Sequence, residues 1–188
     1  MLTHYLDIHL RPDPEFAASH LMAALYAKLH RALVQLGAED LAVCFPGYSI
    51  QPRALGPKLR VLGSPQRLSQ LMALPWLTGM ADHVQVHPSA PVPANVVHRR
   101  LRRVQVQSNP DRLRRRLMKR HDLTPAQARE HIPDSVAQTI NLPFMPMQSS
   151  SSGQRFFMFL HLGPIEPAAT AGTFNAYGLS AVATIPWF

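Results

Sequence analysis

The sequence predicts an α+β protein whose first half has its strands and helices in the order βαββαβ and whose second half is less regular. Three observations lead to this prediction: apolar residues alternate in several short segments, they recur at helical spacing in others, and arginines cluster in the second half. At 188 residues the chain has room for one or two small domains. The proline-rich segment from Pro88 to Pro93 predicts a linker, so we expect domains of residues 1–94 and 95–188.

The first strand and the first helix follow from residue spacing. His4 to Leu10 alternates between apolar and polar residues, which predicts a half-buried strand. The helix after it is expected to start at Asp13 or at Ser19, which are residue types that cap helices. It is expected to end at Gly37, because glycine accepts the left-handed backbone that follows many helices. Its apolar stripe comprises Leu21, Leu25, Leu29, Leu33 and Leu36.

The other elements of the first half complete the βαββαβ order. Short apolar segments predict strands from Leu41 to Phe45 and from Leu59 to Leu62. Ser64 is the expected cap of a second helix that runs from about Gln66 to Ala73. His83 to His87 alternates again and predicts the last strand. This order is that of a ferredoxin-like fold, which serves many functions and therefore indicates little about activity.

Two segments of the second half present polar side chains in a regular pattern. Arg99 to Gln107 alternates, which places Arg103 and Gln105 on one face of a strand. Arginine and glutamine are the side chains that read guanine and adenine edges, although strands often expose this pair without a ligand. Helix starts are predicted at Asn109-Pro110 and, with capping-box spacing, at Thr124. Further strands are predicted at Phe156–Leu162 and Phe174–Leu179, and a loop at Ser149–Gly153.

Positive charge is concentrated in one segment. The net charge is +8, and the residues from His98 to His121 contain ten arginines or lysines against one acid, Asp111, so the rest of the chain is nearly neutral. Like charges four residues apart on a helix cost a few tenths of a kcal/mol per pair, roughly, and a phosphate-rich ligand removes that cost. A polyanionic partner is therefore expected, the alternative being a solvated face without a ligand. One side of the helix carries Arg112, Arg115, Arg116, Lys119 and Arg120, while Leu113 and Leu117 lie toward another.

Several classes of protein are disfavoured by composition and motifs. The single cysteine, Cys44, excludes an internal disulfide framework and a multi-cysteine zinc site, and a reducing cytoplasmic location is expected. No segment resembles a signal peptide or a membrane helix, which needs about 20 apolar residues. No metal and no cofactor are expected, since the chain has no P-loop, EF-hand or H-E-x-x-H motif and no carboxylate cluster for two-metal chemistry. Among ten histidines, composition does not select a catalytic one, and His30 beside the apolar stripe is more typical of a structural residue.

The motifs together resemble one family. They are H-Y-L-D-I near the start, R-V-Q followed by S-N-P-D-R-L-R-R-R-L-M-K-R-H-D-L, then S-S-G-Q-R-F, and P-W-F at the end, so the likeness runs from Tyr5 to Phe188. The chain resembles the repeat-processing endoribonucleases of type I-F CRISPR systems, the Csy group. This resemblance implies a ferredoxin-like N-terminal domain and an arginine helix that enters the major groove of an RNA stem.

The resemblance also implies specific site residues. His30 would transfer a proton, Ser149 would hold the attacking 2′-hydroxyl, although a neighbouring serine fits as well, and Tyr177 would position His30. Arg103 and Gln105 would read the base pairs at the foot of the stem. The other RNA-binding residues implied are Arg112, Arg115, Arg116, Lys119, Arg120, His121, Ser151 and Phe156, the last stacking on the terminal base pair. Lys119 departs from the family, which has arginine there.

The implied reaction needs no metal. The ribose 2′-hydroxyl attacks the adjacent phosphate at the 3′ foot of the hairpin and gives a 2′,3′-cyclic phosphate, while the enzyme stays bound to the mature CRISPR RNA and joins the type I-F surveillance complex. His30 can act as the base or protonate the leaving oxygen. The main alternative is a catalytically silent protein that binds the repeat hairpin, and a third is a DNA-binding regulator.

Overall fold

The computed structural model describes residues 1–105, 110–133, 140–149 and 153–188. Within these residues the chain is a mixed α/β protein with four α-helices and antiparallel sheets. The helices are α1 (Ala18–Gln35), α2 (Pro65–Ala73), α3 (Pro110–His121) and α4 (Pro125–His131), with a 3₁₀ turn at Ala81–His83. The strands are β1 (His4–Leu10), β2 (Ala42–Cys44), β3 (Ser49–Ile50), β4 (Arg53–Ala54), β5 (Lys58–Gly63), β6 (Val84–Val86), β7 (Ala90–Pro91), β8 (Val97–Arg99), β9 (Leu101–Val104), β10 (Phe144–Gln148), β11 (Arg155–Leu162) and β12 (Ile185–Trp187).

The first sheet has the strand order β2-β5-β1-β6, and every neighbouring pair is antiparallel. Four predicted strands are confirmed, and their ends differ from the prediction by no more than one residue. The predicted ranges are His4–Leu10, Leu41–Phe45, Leu59–Leu62 and His83–His87. The predicted linker from Pro88 to Pro93 is wrong in part, because its Ala90 and Pro91 form β7 and pair with β1. Thr3 O also accepts from Val92 N at 2.9 Å, which ties this segment to the sheet.

Helix α1 packs its leucine stripe into the core, where Leu25 and Leu29 are fully buried. The predicted starts at Asp13 and Ser19 are wrong. The helix is preceded by Ala17 without a side-chain cap, Ser19 lies inside the first turn, and Asp13 Oδ1 instead accepts from the amides of two residues before the helix. The predicted end is confirmed: Gly37 has a φ of 54° and donates its amide to Val34 O.

A buried ion pair joins the two central strands of this sheet. Arg60 of β5 donates to both carboxylate oxygens of Asp7 on β1, at 2.7 and 2.9 Å, and also to the backbone carbonyl of Phe188. The guanidinium lies against the rings of Tyr5 and Phe188, 4.5 and 3.9 Å from their centroids. Burial by itself raises the pKa of Asp7, but the hydrogen bonds and charges of Arg60 and Lys58 outweigh it, so the pKa is lowered.

The second sheet has the order β10-β11-β9 and β12 pairs separately with β8. The prediction of one strand from Arg99 to Gln107 is wrong, because the chain breaks at Arg100 into β8 and β9, which pair with different partners. At the break, Arg100 O accepts from Gly163 N, and the Arg100 side chain donates to Glu166 and to Val182 O. Arg100 therefore belongs to neither the β8–β12 nor the β9–β11 pairing. The strand at Phe156–Leu162 is confirmed as β11.

The chain packs as two compact units. One comprises residues 1–104 and 142–188, and the other comprises residues 105–141. The expected boundary near Ala94 falls inside the first unit. In the second unit, helix α3 begins at Pro110 as predicted, and Thr124 and Gln127 form the predicted capping box of α4. No described helix combines the length and the apolar character that crossing a membrane requires.

Candidate functional site

Helix α1 presents His30 next to a loop from the C-terminal part of the same unit. Leu29 is fully buried, so the helix is fixed in the core, and His30 beside it remains half-buried. The His30 Nδ1 lies 2.7 Å from Ala176 O. A carbonyl oxygen only accepts, so Nδ1 carries the proton in this contact and the neutral ring has its lone pair on Nε2. The backbone therefore sets the tautomer in which Nε2 can take a proton.

Tyr177 fixes the plane of the His30 ring. The two rings are stacked with centroids 3.9 Å apart and an interplanar angle of 6°. Tyr26, one turn before His30 on α1, donates its hydroxyl to Tyr177 O at 2.7 Å and is itself buried. Burial, with a smaller contribution from Tyr177, raises the pKa of the Tyr26 hydroxyl well above its ordinary value, so this group remains a donor.

The residues that contact His30 lie on a tight turn. Asn175 Oδ1 accepts from the amides of Tyr177 and Leu179 at 2.9 and 3.2 Å. Gly178 has a φ of 68°, donates to Asn175 O at 2.7 Å and accepts from Val43 N at 3.0 Å. The strand predicted from Phe174 to Leu179 is therefore wrong. Asparagine followed three residues later by glycine is typical of turns, and positive φ at Gly178 is incompatible with a strand.

Gly178 also approaches the first sheet too closely for a side chain. A Cβ at this position would lie 2.9 Å from Val43 Cγ1 and 3.1 Å from Val43 N. Both its positive φ and this contact require glycine. The turn is consequently fixed from both sides, by Asn175 within the turn and by β2 beneath it.

Ser149 begins the connection between β10 and β11. Its amide donates to Gln154 O and its carbonyl accepts from Gly153 N, both at 2.9 Å, so the loop predicted for this segment closes a hairpin. Strand β10 packs against α1, which carries His30. The serine hydroxyl is thus presented at the end of an element that contacts the histidine helix. Ser151 and its neighbours Ser150 and Ser152 lie outside the described residues.

Arg103 and Phe156 form a pair in the second sheet. The guanidinium carbon of Arg103 lies 4.9 Å from the centroid of the Phe156 ring. Arg103 Nε is buried and has no hydrogen-bond partner among the residues that the structure describes. Gln105 is exposed and follows β9 by one residue, so the strand does not set the direction of its side chain.

The second unit carries the predicted basic face. Arg115, Arg116, Lys119, Arg120 and His121 are exposed on α3, and the backbone of Arg112 lies on the same helix. Leu113 and Leu117 are half-buried on its other side. Among the hydrogen bonds described for the side chains of these five exposed residues, there is a single long one, of 3.4 Å, from Arg115 Nε to Asp111 O.

Arg114 differs from the other arginines of α3 and was not predicted as a separate case. It is buried, and it donates to Ile132 O at 2.8 Å and to Asp111 Oδ1 at 3.0 Å. Its role is therefore to hold α3 against the end of α4. The half-buried Leu117 follows Arg114 by three positions, so the two share a face of the helix, and this spacing is a signal that the sequence contained.

Three other contributors to the site were missed by sequence reasoning. Tyr26, Asn175 and the backbone carbonyl of Ala176 position His30 and Tyr177 without being acid or base themselves. Tyr26 precedes His30 by four residues, which places both on one face of α1. Only this spacing could have pointed to Tyr26. Among the described residues, no group of three His, Cys, Asp or Glu side chains is arranged to hold a metal ion.

Comparisons with known proteins give matches along the whole chain. The model of a family described as CRISPR-associated protein (Cas_Csy4) matches residues 5–188. A protein of Pseudomonas aeruginosa (strain UCBPP-PA14) named CRISPR-associated endonuclease Cas6/Csy4 is 48% identical over 187 residues, and one of the same name from Escherichia coli (strain UTI89 / UPEC) is 46% identical; both alignments cover 100% of either chain. A solved structure described as CRISPR endoribonuclease Cse3 bound to 19 nt RNA covers 99% of this chain and 100% of its own at 14% identity, with a TM-score of 0.35, which is too low to indicate a shared fold.

Proposed function

This chain belongs to the Csy4 family of CRISPR-associated proteins, and we propose that its His30 cluster is the active site with which it cleaves CRISPR repeat RNA. Both curated relatives are named endonucleases, and the chain is accordingly an endoribonuclease that processes the repeats of precursor CRISPR RNA. The observation that carries the assignment of the site is the contact of His30 Nδ1 with Ala176 O. This contact leaves Nε2 as the basic nitrogen of a half-buried ring.

The proposed reaction uses the nucleophile that RNA already contains. His30 Nε2 removes the proton of the ribose 2′-hydroxyl, the 2′-oxygen bonds to the adjacent phosphorus, and the bond from phosphorus to the 5′-oxygen breaks. The products are a 2′,3′-cyclic phosphate and a 5′-hydroxyl, whose proton comes from water or from the imidazolium. An imidazole can serve either as base or as acid near neutral pH. We assign His30 to the first step because Nδ1 carries the ring proton, which leaves the lone pair of Nε2 free to accept the proton of the 2′-hydroxyl.

Ser149 and Tyr177 are proposed to support His30. Ser149 lies at the end of β10, which packs against α1, and its hydroxyl would hold the 2′-hydroxyl in line with the phosphorus–oxygen bond. Tyr177 restrains the imidazole through the stacked contact of 3.9 Å. It is a positioning residue in this proposal, since its contact is with the histidine ring.

The RNA-binding assignments follow the division of the molecule into two units. In the first, Phe156 would stack on the terminal base pair of the stem, and Arg103 beneath it would contact a base edge. In the second, the exposed basic face of α3 would contact phosphates, and Gln105 would read the neighbouring base pair. The remaining proposed contacts are Arg112, Arg115, Arg116, Lys119, Arg120, His121 and Ser151.

Several features of organisation belong to the same proposal. We interpret the first sheet with α1 and α2 as a ferredoxin-like fold, which its strand order β2-β5-β1-β6 supports. Three further features remain predictions from the sequence. They are a functional division into residues 1–94 and 95–188, a cytoplasmic location, and a place in the type I-F surveillance complex. Retention of the cleaved hairpin is expected, because a cut beyond the stem removes none of the contacts to the stem.

The decisive experiment uses the repeat hairpin of the neighbouring CRISPR array and the full-length protein. We expect cleavage to persist with EDTA and to stop in His30→Ala, while the hairpin affinity of this variant stays unchanged. His20→Ala is the matched control, since His20 is an exposed histidine at the start of the same helix. If the unmodified protein binds the hairpin and leaves it intact, the chain is a silent binding protein; if it binds a DNA hairpin equally well, the RNA assignment fails.

A further inference from the structure

The face of the β10-β11-β9 sheet that is turned away from the core carries a group of exposed phenylalanines. Alternation along β11 buries Met158 and Leu160 and directs Phe157 and Phe159 to the other face. Phe157 is 60% exposed and Phe144 of β10 is 39% exposed. Their rings meet edge to face with centroids 5.0 Å apart, and the ring of Phe159 lies 5.5 Å from that of Phe144. We call these three residues the outer aromatic cluster.

Two cationic side chains share the face of the outer aromatic cluster. Arg155 precedes Phe157 by two residues on β11 and therefore shares its face, and Arg102 of β9 lies opposite His161 of β11 on that face. Both arginines are exposed. Burial, together with the charges of Arg102 and Arg99, lowers the pKa of His161. The strand positions on this face, all within the described part of the chain, contain no aspartate or glutamate.

Exposed aromatic rings on a face that also carries arginines suit one kind of ligand. Single-stranded RNA offers unpaired bases that stack on phenylalanine and phosphates that pair with arginine, and sheets with exposed aromatic residues bind it in this way. A double-stranded stem offers its phosphates but no free base faces, so it would use the arginines and leave the rings uncovered. An acidic protein surface would match the charge, but it would have no particular need for edge-to-face rings on a flat sheet.

The position of the cluster indicates which single strand is bound. Phe156 and Phe157 are consecutive on β11 and point to opposite faces, and Ser149, which follows β10, lies beside the start of β11. Arg155 and Phe157 are therefore the residues of the opposite face that lie nearest along β11 to the proposed cleavage position at Phe156 and Ser149. The RNA on the 3′ side of the scissile phosphate leaves from this position.

We propose that the outer aromatic cluster binds the single-stranded RNA that follows the scissile phosphate, with bases stacked on Phe157 and Phe144 and phosphates on Arg155. The inference rests on the proposed function, because the ligand is the 3′ part of the same precursor RNA. It gives the protein a way to bind uncut precursor more tightly than cut product. After cleavage the 3′ segment is held by this cluster alone and dissociates, while the hairpin remains.

The test measures the affinity of the full-length protein for three RNAs. The first is the repeat hairpin that ends at its 3′ foot, and the second is this hairpin with a single-stranded 5′ extension. The third is the hairpin with a single-stranded 3′ extension and a 2′-deoxyribose at the scissile position, which removes the attacking hydroxyl. Phe157→Ala should weaken binding of the 3′-extended RNA by roughly tenfold, the loss of one stacked base, and leave the other two unchanged. Phe157→Trp should keep the affinity. Phe16→Ala is the matched control, since Phe16 is 48% exposed and lies on the segment before α1.

Three results would overturn the inference without affecting the proposed active site: equal affinity of Phe157→Ala and wild type for the 3′-extended RNA, an equal loss on the bare hairpin, or a loss confined to the 5′-extended RNA. The first of these would leave a protein partner as the ligand of the cluster. Failure of the unmodified protein to bind any of the three RNAs would instead contradict both the proposed function and this inference.

Discussion

The hydroxyl of Tyr26 donates to the backbone carbonyl of Tyr177 at 2.7 Å, which makes a core residue of α1 the support of the ring that stacks on His30. Tyr26 and His30 lie one helical turn apart, and both donate to consecutive carbonyls of the same turn, those of Tyr177 and Ala176. The histidine and its platform are therefore fixed by a single helix and a single loop. Changes at Tyr26 should be transmitted to catalysis without any contact with RNA.

Tyr26→Phe keeps the packing of the ring and removes this hydrogen bond. We expect the single-turnover cleavage rate to fall roughly fivefold, the equivalent of about 1 kcal/mol, while hairpin affinity remains unchanged. The comparison is Tyr48→Phe, which removes a hydroxyl that donates to Leu160 O at 3.1 Å in the second sheet. A lower melting temperature with an unchanged rate would show that Tyr26 only stabilises the fold.

Asn175→Ala should release the turn that presents Ala176 O to His30. The variant loses the acceptor of two amides, and we expect the proton of the neutral imidazole to move from Nδ1 toward Nε2 and cleavage to slow. Two-bond proton–nitrogen NMR correlations of the histidine ring report the tautomer directly. Asn175→Asp retains the acceptor oxygen and should retain the wild-type pattern. An unaltered His30 tautomer in Asn175→Ala would refute this role for the turn.

The contribution of Tyr177 should depend on its ring and not on its hydroxyl. Tyr177→Phe preserves the stacked contact with His30 and should cleave at nearly the wild-type rate. Tyr177→Ala removes the ring, and the rate should fall up to about tenfold, in proportion to the roughly 0.5–1.5 kcal/mol of an aromatic contact. Both rates are measured under single-turnover conditions at saturating protein. A large loss in Tyr177→Phe would instead assign a chemical role to the hydroxyl.

The basic face of α3 should be visible in the salt dependence of binding. Arg116→Ala removes one exposed charge, and the slope of log affinity against log salt concentration should decrease by about one for one lost phosphate contact. Arg53→Ala removes an exposed arginine of the β3–β4 hairpin and should leave the slope unchanged. Equal slopes for wild type and Arg116→Ala would exclude a phosphate contact at this position.

Asp7 should make the stability of the first sheet dependent on pH. Its pKa is lowered in the folded protein from an ordinary value of 3.8, so its contribution to the free energy of unfolding is present above that value and is lost as the pH falls through the lowered pKa. Asp7→Asn should therefore lower the free energy of unfolding by about 3 kcal/mol at neutral pH. When the pH is lowered below about 4, the free energy of unfolding should decrease less in this variant than in wild type. Denaturant unfolding at both pH values measures this, with the more exposed Asp40→Asn as control. Parallel pH profiles of wild type and Asp7→Asn would contradict the assignment.

The elements that the sequence predicted correctly are those whose determinants are local. The alternation of β1, the leucine stripe of α1, Ser64 before α2 and the Thr124 capping box each depend on residues a few positions apart. The basic helix α3 follows from its own composition. Composition does not single out Arg114, which is buried through contacts that include the one with Ile132 O at the end of α4.

The arrangement around His30 depends on contacts distant in sequence. His30 and Ala176 are separated by 146 positions, and so no periodicity could join them. The segment from Phe174 to Leu179 is apolar enough to predict a strand, and only the side-chain bonds of Asn175 and the positive φ of Gly178 make it a turn. Resemblance to a family pointed to His30 and Tyr177, but the tautomer of the histidine required the structure.

The hydrogen bond from Val43 N to Gly178 O has a consequence for solubility. Strand β2 is the last strand on its side of the first sheet, and the loop that carries Tyr177 covers an amide of this edge. Uncovered sheet edges pair with those of other molecules. A protein cut before residue 174 would thus lose more than its catalytic platform, because the bared β2 would promote aggregation of the very domain that holds His30.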